Sequence, residues 1–168
     1  MGMKKINYLA ATGIMAALIT LMTAYICHIP IGGNGGYIHF GDTLIYLAAA
    51  LLPKPYAIAA AVIGGGLADL FTAPMWFPAT VVIKMLIVLP FTERSQKIVS
   101  IRNVMAAVLA YFISGFGYFA AEYILFETVS VFWISMIQSL VQAGGSAVFF
   151  IVFGMALDKT AFKKRFIN

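Results

Sequence analysis

The sequence predicts an all-α membrane protein, a compact bundle of six transmembrane helices with both termini cytoplasmic. It reads as a single domain over residues 1–168. Three observations carry this. The chain is 62% hydrophobic and only 10% charged, against about 25% charged in soluble domains. Its mean hydropathy of +0.97 has no soluble reading. Apart from Lys84, its basic residues sit at the ends of apolar runs, on one side of the bundle those runs build. A net charge of +5 would point to nucleic acid in a soluble protein. Here it reports topology, and no nucleic-acid partner is expected.

A spanning helix needs about 20 mostly apolar residues. The first span is Ile6–Cys27. Lys4 and Lys5 ahead of it imitate a signal peptide, but the apolar run is too long for one and no A-x-A site follows, so it reads as a retained span. The polar stretch "IGGNGGYIHFGDT" comes next, then a second run, Phe40–Leu52, closed by "PKP". The third run is Tyr56–Phe71, the fourth Phe77–Phe91, the fifth Val104–Leu125 and the sixth Ser130–Leu157. The second and third are short, covering about 20 Å of a roughly 30 Å apolar layer in the thirteen-residue case. They either extend into their loops or form a re-entrant pair. "GGG" at Gly64–Gly66 reads as close helix packing or as room for a ligand.

An even number of spans puts both termini on one side. Lys4, Lys5, Lys54, Arg94, Lys97, Arg102, Lys159, Lys163, Lys164 and Arg165 then share that side, which is cytoplasmic by the positive-inside rule. Five spans would divide these residues between the two faces. Asp42, Asp69, Glu122 and Glu127 lie at or near the outer face, with His28 and His39.

The chemistry collects at that outer face. "GGNGG", with Asn34 among the glycines, bends freely and is followed at once by Tyr37, His39 and Asp42. A plain helix turn needs none of these, so the segment reads as a lid or ligand contact. Asp69 ends the third span, and Trp76 lies in a proline-stiffened loop, either as an interfacial belt residue or as a ring that stacks on a flat ligand. Lys84 lies about 10 Å into the fourth span. It is either a structural ion pair with Asp42, Asp69 or Glu122, or a charge lining a pocket. Gln138 and Gln142 share one face of the sixth helix, for helix-to-helix bonding or for pocket polarity. With Tyr118 and the other outer aromatics, these residues have the makings of a small-molecule site.

Several classes find no support. The sequence has no G-x-x-x-x-G-K-[ST], no H-E-x-x-H and no G-x-S-x-G. A single cysteine, Cys27, rules out an internal disulfide and a cysteine metal cluster. Neither catalytic residues nor a metal or other cofactor is expected.

The segments "GYIHFGDTLIYLAAALLPKPYAIAAAVIGGGLADLF" and "FPATVVIKML" resemble the S components of energy-coupling factor (ECF) transporters, in the group of riboflavin-type and related vitamin S components. The shared pattern is an aromatic-I-H-x-G-D segment opening the second span, a G-x-x-x-A-D-L segment closing the third, and a lysine in the fourth. It is closest over Gly36–Leu86. The resemblance implies a six-helix bundle binding a vitamin or precursor with high affinity in an outer pocket closed by two loops. It implies a subunit without ATPase activity that docks on a transmembrane coupling protein bound to two ATPase subunits, and that topples to release its ligand inside. Ile31–Asp42 then matches the outer gate, with His39 as its ligand contact, and Asp42, Asp69 and Lys84 match recurring polar positions. An alanine-x-x-x-alanine docking pattern is not strictly present. Gly13-x-x-x-Ala17 and Thr12-x-x-x-Ala16 come nearest, so Gly13, Ala16 and Ala17 mark the expected docking face.

The expected function is thus the substrate-binding subunit of an ECF-type vitamin importer in the bacterial plasma membrane. Aromatic and amide groups with limited charge suit a small, flat heterocycle. Pyridoxine and the hydroxymethylpyrimidine moiety of thiamine lead, with riboflavin third. The alternative is a stand-alone ion-coupled secondary transporter in which Lys84 and Asp69 carry a proton.

Overall fold

Helix α1, Gly2–Leu21, continues through a π-helical turn at Met22–Ile26. A two-residue antiparallel pair follows, β1 (Ile29–Pro30) against β2 (Tyr37–Ile38), with Ile29 opposite Ile38. Then come α2 (Asp42–Leu51), α3 (Lys54–Thr72), a 3-10 turn at Pro74–Trp76, α4 (Phe77–Val88), α5 (Ile101–Phe126) and α6 (Phe132–Lys159). This computed structural model describes residues 2–26, 28–30, 37–127, 129–130, 132–160 and 162–163. Asn34 and the rest of "GGNGG" lie outside them, and Tyr37 is described by its backbone alone.

The helix boundaries follow local chemistry. Pro53 caps α3 and Pro55 sits in its first turn, where the missing N–H is not needed. The "PKP" that closes the second apolar run therefore also opens α3, which reaches 19 residues instead of the short span its apolar run suggests. Ser100 caps α5 by accepting from the Asn103 N–H at 3.3 Å. Glu127, at φ 52°, ends α5 in a left-handed cap.

Helices α1, α3, α5 and α6 are each long and apolar enough to cross a membrane. Helix α2 is not, with ten residues, but nine of the ten are buried. A helix buried all round belongs at the centre of a bundle, and α2 packs there against α1, α3 and α6. Around it α1 packs on α3, α3 on α4, α4 on α5 and α5 on α6. The outer faces of α1, α5 and α6 expose large apolar side chains, among them Ile6, Leu9, Ile124, Trp133 and Ile137. This is the pattern of a surface that meets lipid.

The three glycines of α3 each admit a neighbour. A Cβ at Gly64 would lie 2.7 Å from Ile19 Cβ and 2.8 Å from the Ala16 carbonyl on α1. At Gly65 it would lie 3.1 Å from Lys84 Cγ, and at Gly66 3.0 Å from the Phe77 ring, both on α4. Close packing accounts for the "GGG".

At the end carrying the termini, Lys54 Nζ donates to the Val88, Leu89 and Phe91 carbonyls at 3.1, 3.0 and 2.5 Å. A cation there answers the exposed carbonyls of the α4 C-terminus. The Asp158 carboxylate accepts the Ile98 and Val99 N–H groups at 2.7 and 3.1 Å, so the loop between α4 and α5 is fastened to α6.

Candidate functional site

Asp42 begins α2 and is fully buried. Its Oδ1 accepts from Lys84 Nζ of α4 at 2.6 Å, and its Oδ2 from Gln142 Nε2 of α6 at 3.0 Å. Lys84 is 1% exposed, so this is an ion pair sealed inside the bundle, with a hydrogen bond on each carboxylate oxygen. It ties three helices at one point. The Lys84 ammonium also lies 5.9 Å from the centroid of the Tyr118 ring on α5, and the Tyr118 hydroxyl is 3.0 Å from Thr80 Oγ1. Of the partners open to Lys84, the structure gives Asp42.

His39 lies in the loop ahead of α2 and is buried. Its Nδ1 accepts the Gly41 N–H at 3.1 Å and faces Thr23 Oγ1 at 3.5 Å. An Nδ1 that accepts a backbone N–H places the ring proton on Nε2. Burial pulls the imidazole pKa down to about 3, with Lys84 adding to the fall and Asp42 opposing it, so the ring is neutral in the physiological range. Gly41 is required for this arrangement, because a Cβ there would collide with Thr23 Oγ1.

Above the Asp42–Lys84 pair, toward the end away from the termini, lies a cavity of about 60 Å³. It is walled by the ends of five helical segments. His39 contributes from the α2 approach, Asp69 from the end of α3, Trp76 from the 3-10 turn and Thr80 from the start of α4. Tyr118 and Glu122 come from the end of α5, and Ser135, Gln138, Ser139 and Gln142 from the start of α6. The rings of Trp76 and Tyr118 meet edge to face, with centroids 6.2 Å apart. Trp76 is 5% exposed, and its indole N–H has no hydrogen-bond partner among the described residues. The Ser135 hydroxyl donates to Glu122 Oε2. Among the described residues no group of three or more His, Cys, Asp or Glu side chains could hold a metal ion.

Such a cavity, with aromatic walls and a few converging polar groups, suits a small organic ligand. Comparison with known proteins agrees. The family described as "ECF-type riboflavin transporter, S component" matches residues 3–159. The chain belongs to this S-component family. S components are transport subunits of the vitamin type rather than ATPases. This S component is also 30% identical over 125 residues to a Pyrococcus woesei protein described as "Uncharacterized protein in gap 3'region", an alignment covering 71% of this chain and 83% of the other.

Of the residues expected to form the site, the S component brings His39, Asp69, Trp76, Tyr118, Glu122, Gln138 and Gln142 to the cavity wall. Asp42 and Lys84 stand behind it, reaching it through Gln142 and Tyr118. Thr80, Ser135 and Ser139 line it without having been expected. A signal for them was present. Ser135, Gln138, Ser139 and Gln142 fall at i, i+3, i+4 and i+7 in an otherwise apolar helix, and Thr80 lies one turn before Lys84. On α1, Gly13 and Ala17 face outward, whereas Ala16 is 5% exposed and packs its backbone against α3. Any small-residue docking face on α1 therefore consists of Gly13 and Ala17 without Ala16.

Proposed function

We propose that this chain is the high-affinity substrate-binding subunit of an ECF-type ABC transporter, and that it takes up a small heteroaromatic vitamin or vitamin precursor. Its helices cross the bacterial cell membrane six times, with α2 and α4 as short central spans and both termini in the cytoplasm. The ligand enters from outside and occupies the cavity between Trp76, Tyr118 and Gln138. The loop carrying Trp76 forms part of the cavity wall. The subunit docks through Gly13 and Ala17 on a transmembrane coupling protein that is bound to two ATPase subunits.

The observation that carries this reading is the polar, aromatic-walled cavity at the end of the bundle opposite the basic residues. Aromatic and amide-bearing walls suit a small, flat heterocycle, so pyridoxine and hydroxymethylpyrimidine stand ahead of riboflavin, the ligand that the family's description names.

Reconstitution tests the proposal. In proteoliposomes the chain alone should bind ligand but accumulate none, with or without an ion gradient. Adding the coupling protein, the two ATPases and ATP should start uptake. Gradient-driven accumulation by the chain alone would overturn the reading in favour of a secondary carrier.

A further inference from the structure

Resting on the binding-subunit reading, we propose that Phe40 and Gly145 are positioning residues for ligand binding. The Phe40 ring, seated over Gly145 of α6, holds His39 in the cavity wall, although neither Phe40 nor Gly145 lines the cavity. The seat is defined by what a side chain at Gly145 would meet. A Cβ there would collide with Phe40 Cε1 and lie 2.9 Å from Cδ1 and 3.3 Å from Cζ of the same ring. At Gly144, one residue earlier, the same atom would have nothing within 4 Å. The tight contact thus belongs to one position and one partner. Phe149, one turn further along α6, meets the Phe40 ring edge to face with centroids 5.5 Å apart.

Helix α6 holds the residues after Phe40 as well. The Ser146 carbonyl accepts from Thr43 Oγ1 at 3.2 Å, and Gln142 Nε2 donates to Asp42 at 3.0 Å. Residues 40–43 are therefore gripped along two turns of one helix. His39 is joined directly to this grip. The bond that orients its imidazole, from the Gly41 N–H to Nδ1 at 3.1 Å, runs across Phe40 from one neighbour to the other. Adjacent Cα atoms are fixed about 3.8 Å apart. A shift of the Phe40 backbone thus carries both ends of that bond away from Thr23 and from the wall. The Phe40 carbonyl also accepts the Thr43 N–H at 3.1 Å, so the same shift loosens the first turn of α2. Overpacking at Gly145 forces such a shift, because a rigid ring cannot yield at a single atom.

Calorimetry and nitrogen NMR of the histidine rings, both on the purified full chain in mild detergent, test the inference. The calorimetric probes are pyridoxine, 4-amino-5-hydroxymethyl-2-methylpyrimidine and riboflavin. In the wild type the His39 ring, identified by its loss in His39→Gln, should show the Nε2–H tautomer. Gly145→Ala should weaken binding of whichever probe the wild type takes by about 10-fold or more, and should disturb the His39 signal. Adding Phe40→Leu to Gly145→Ala should restore the signal and bring the affinity within about 3-fold of wild type. That rescue separates a seat from a general loss of packing. Phe40→Ala empties the seat without overpacking it, and should weaken binding in the same way if Gly145→Ala does not fold. A folded Gly145→Ala or Phe40→Ala variant with wild-type affinity and an unchanged His39 signal, or a double variant no better than Gly145→Ala, would overturn the inference and leave the binding-subunit reading standing. If the wild type takes none of the three probes and carries no ligand, the binding-subunit reading fails and this inference with it.

Discussion

Lys84 shows how burial decides a residue's role. From sequence it is an intramembrane lysine with three acidic partners on offer and two possible uses. In the folded chain it is 1% exposed, bonded to Asp42, and absent from the cavity wall. It braces α2 against α4 and, through Asp42, orients Gln142. Removing one member of a buried pair strands the other as an uncompensated charge, at a cost of about 3–5 kcal/mol. Lys84→Met should therefore lower the thermal unfolding midpoint in detergent sharply, and adding Asp42→Asn should recover most of the loss. A single variant as stable as the parent would show that the pair is not the brace. Sequence alone could not choose among the partners because the choice depends on helix rotation. Asp42, Asp69 and Glu122 all stand near the same end, and only packing shows which of them Lys84 meets.

At the scale of elements, the glycines separate two kinds of helix face. Gly64 lets α1 and α3 touch, and an added Cβ would press on Ile19 and the Ala16 carbonyl. Gly13 faces outward, with nothing within 4 Å of the same atom. Gly64→Val should thus destabilise the bundle by about 1–3 kcal/mol, as overpacking does. Leucine at both Gly13 and Ala17 should leave stability and ligand binding intact and abolish uptake in the reconstituted transporter. Normal uptake by that double variant would remove the proposed docking face. Helix positions were largely legible, since the six apolar runs reappear as α1 to α6 within a few residues at most ends. The π-helical turn at Met22–Ile26 and the small β1–β2 pair were not, because neither has a hydrophobic period to announce it. Helix α3 outruns its apolar run because Pro55, which in the sequence marks an ending, is equally at home in a first helical turn.

At the scale of the molecule, the two ends of the bundle differ in kind. One end gathers Lys54, Arg94, Lys97, Arg102 and Lys159, with Lys54 and Asp158 fastening the loop between α4 and α5. The other end opens a cavity between residues drawn from α3, α4, α5 and α6, with Trp76 from the 3-10 turn and His39 from the approach to α2. This polarity was visible in the sequence, because Lys and Arg positions and apolar runs define it without any packing information. The cavity's polar residues were mostly visible too, as polar side chains in apolar helices. Their division into wall and brace was not. The central claim is that this cavity holds the transported ligand. Native mass spectrometry of the protein released from mild detergent tests it most directly, comparing wild type with Gln138→Leu, a wall residue with no part in the ion pair. The wild-type chain should carry one small heteroaromatic molecule, and the folded variant should lose it. A chain that carries nothing after growth with the vitamins supplied, or a variant that keeps the same occupancy, would contradict the account.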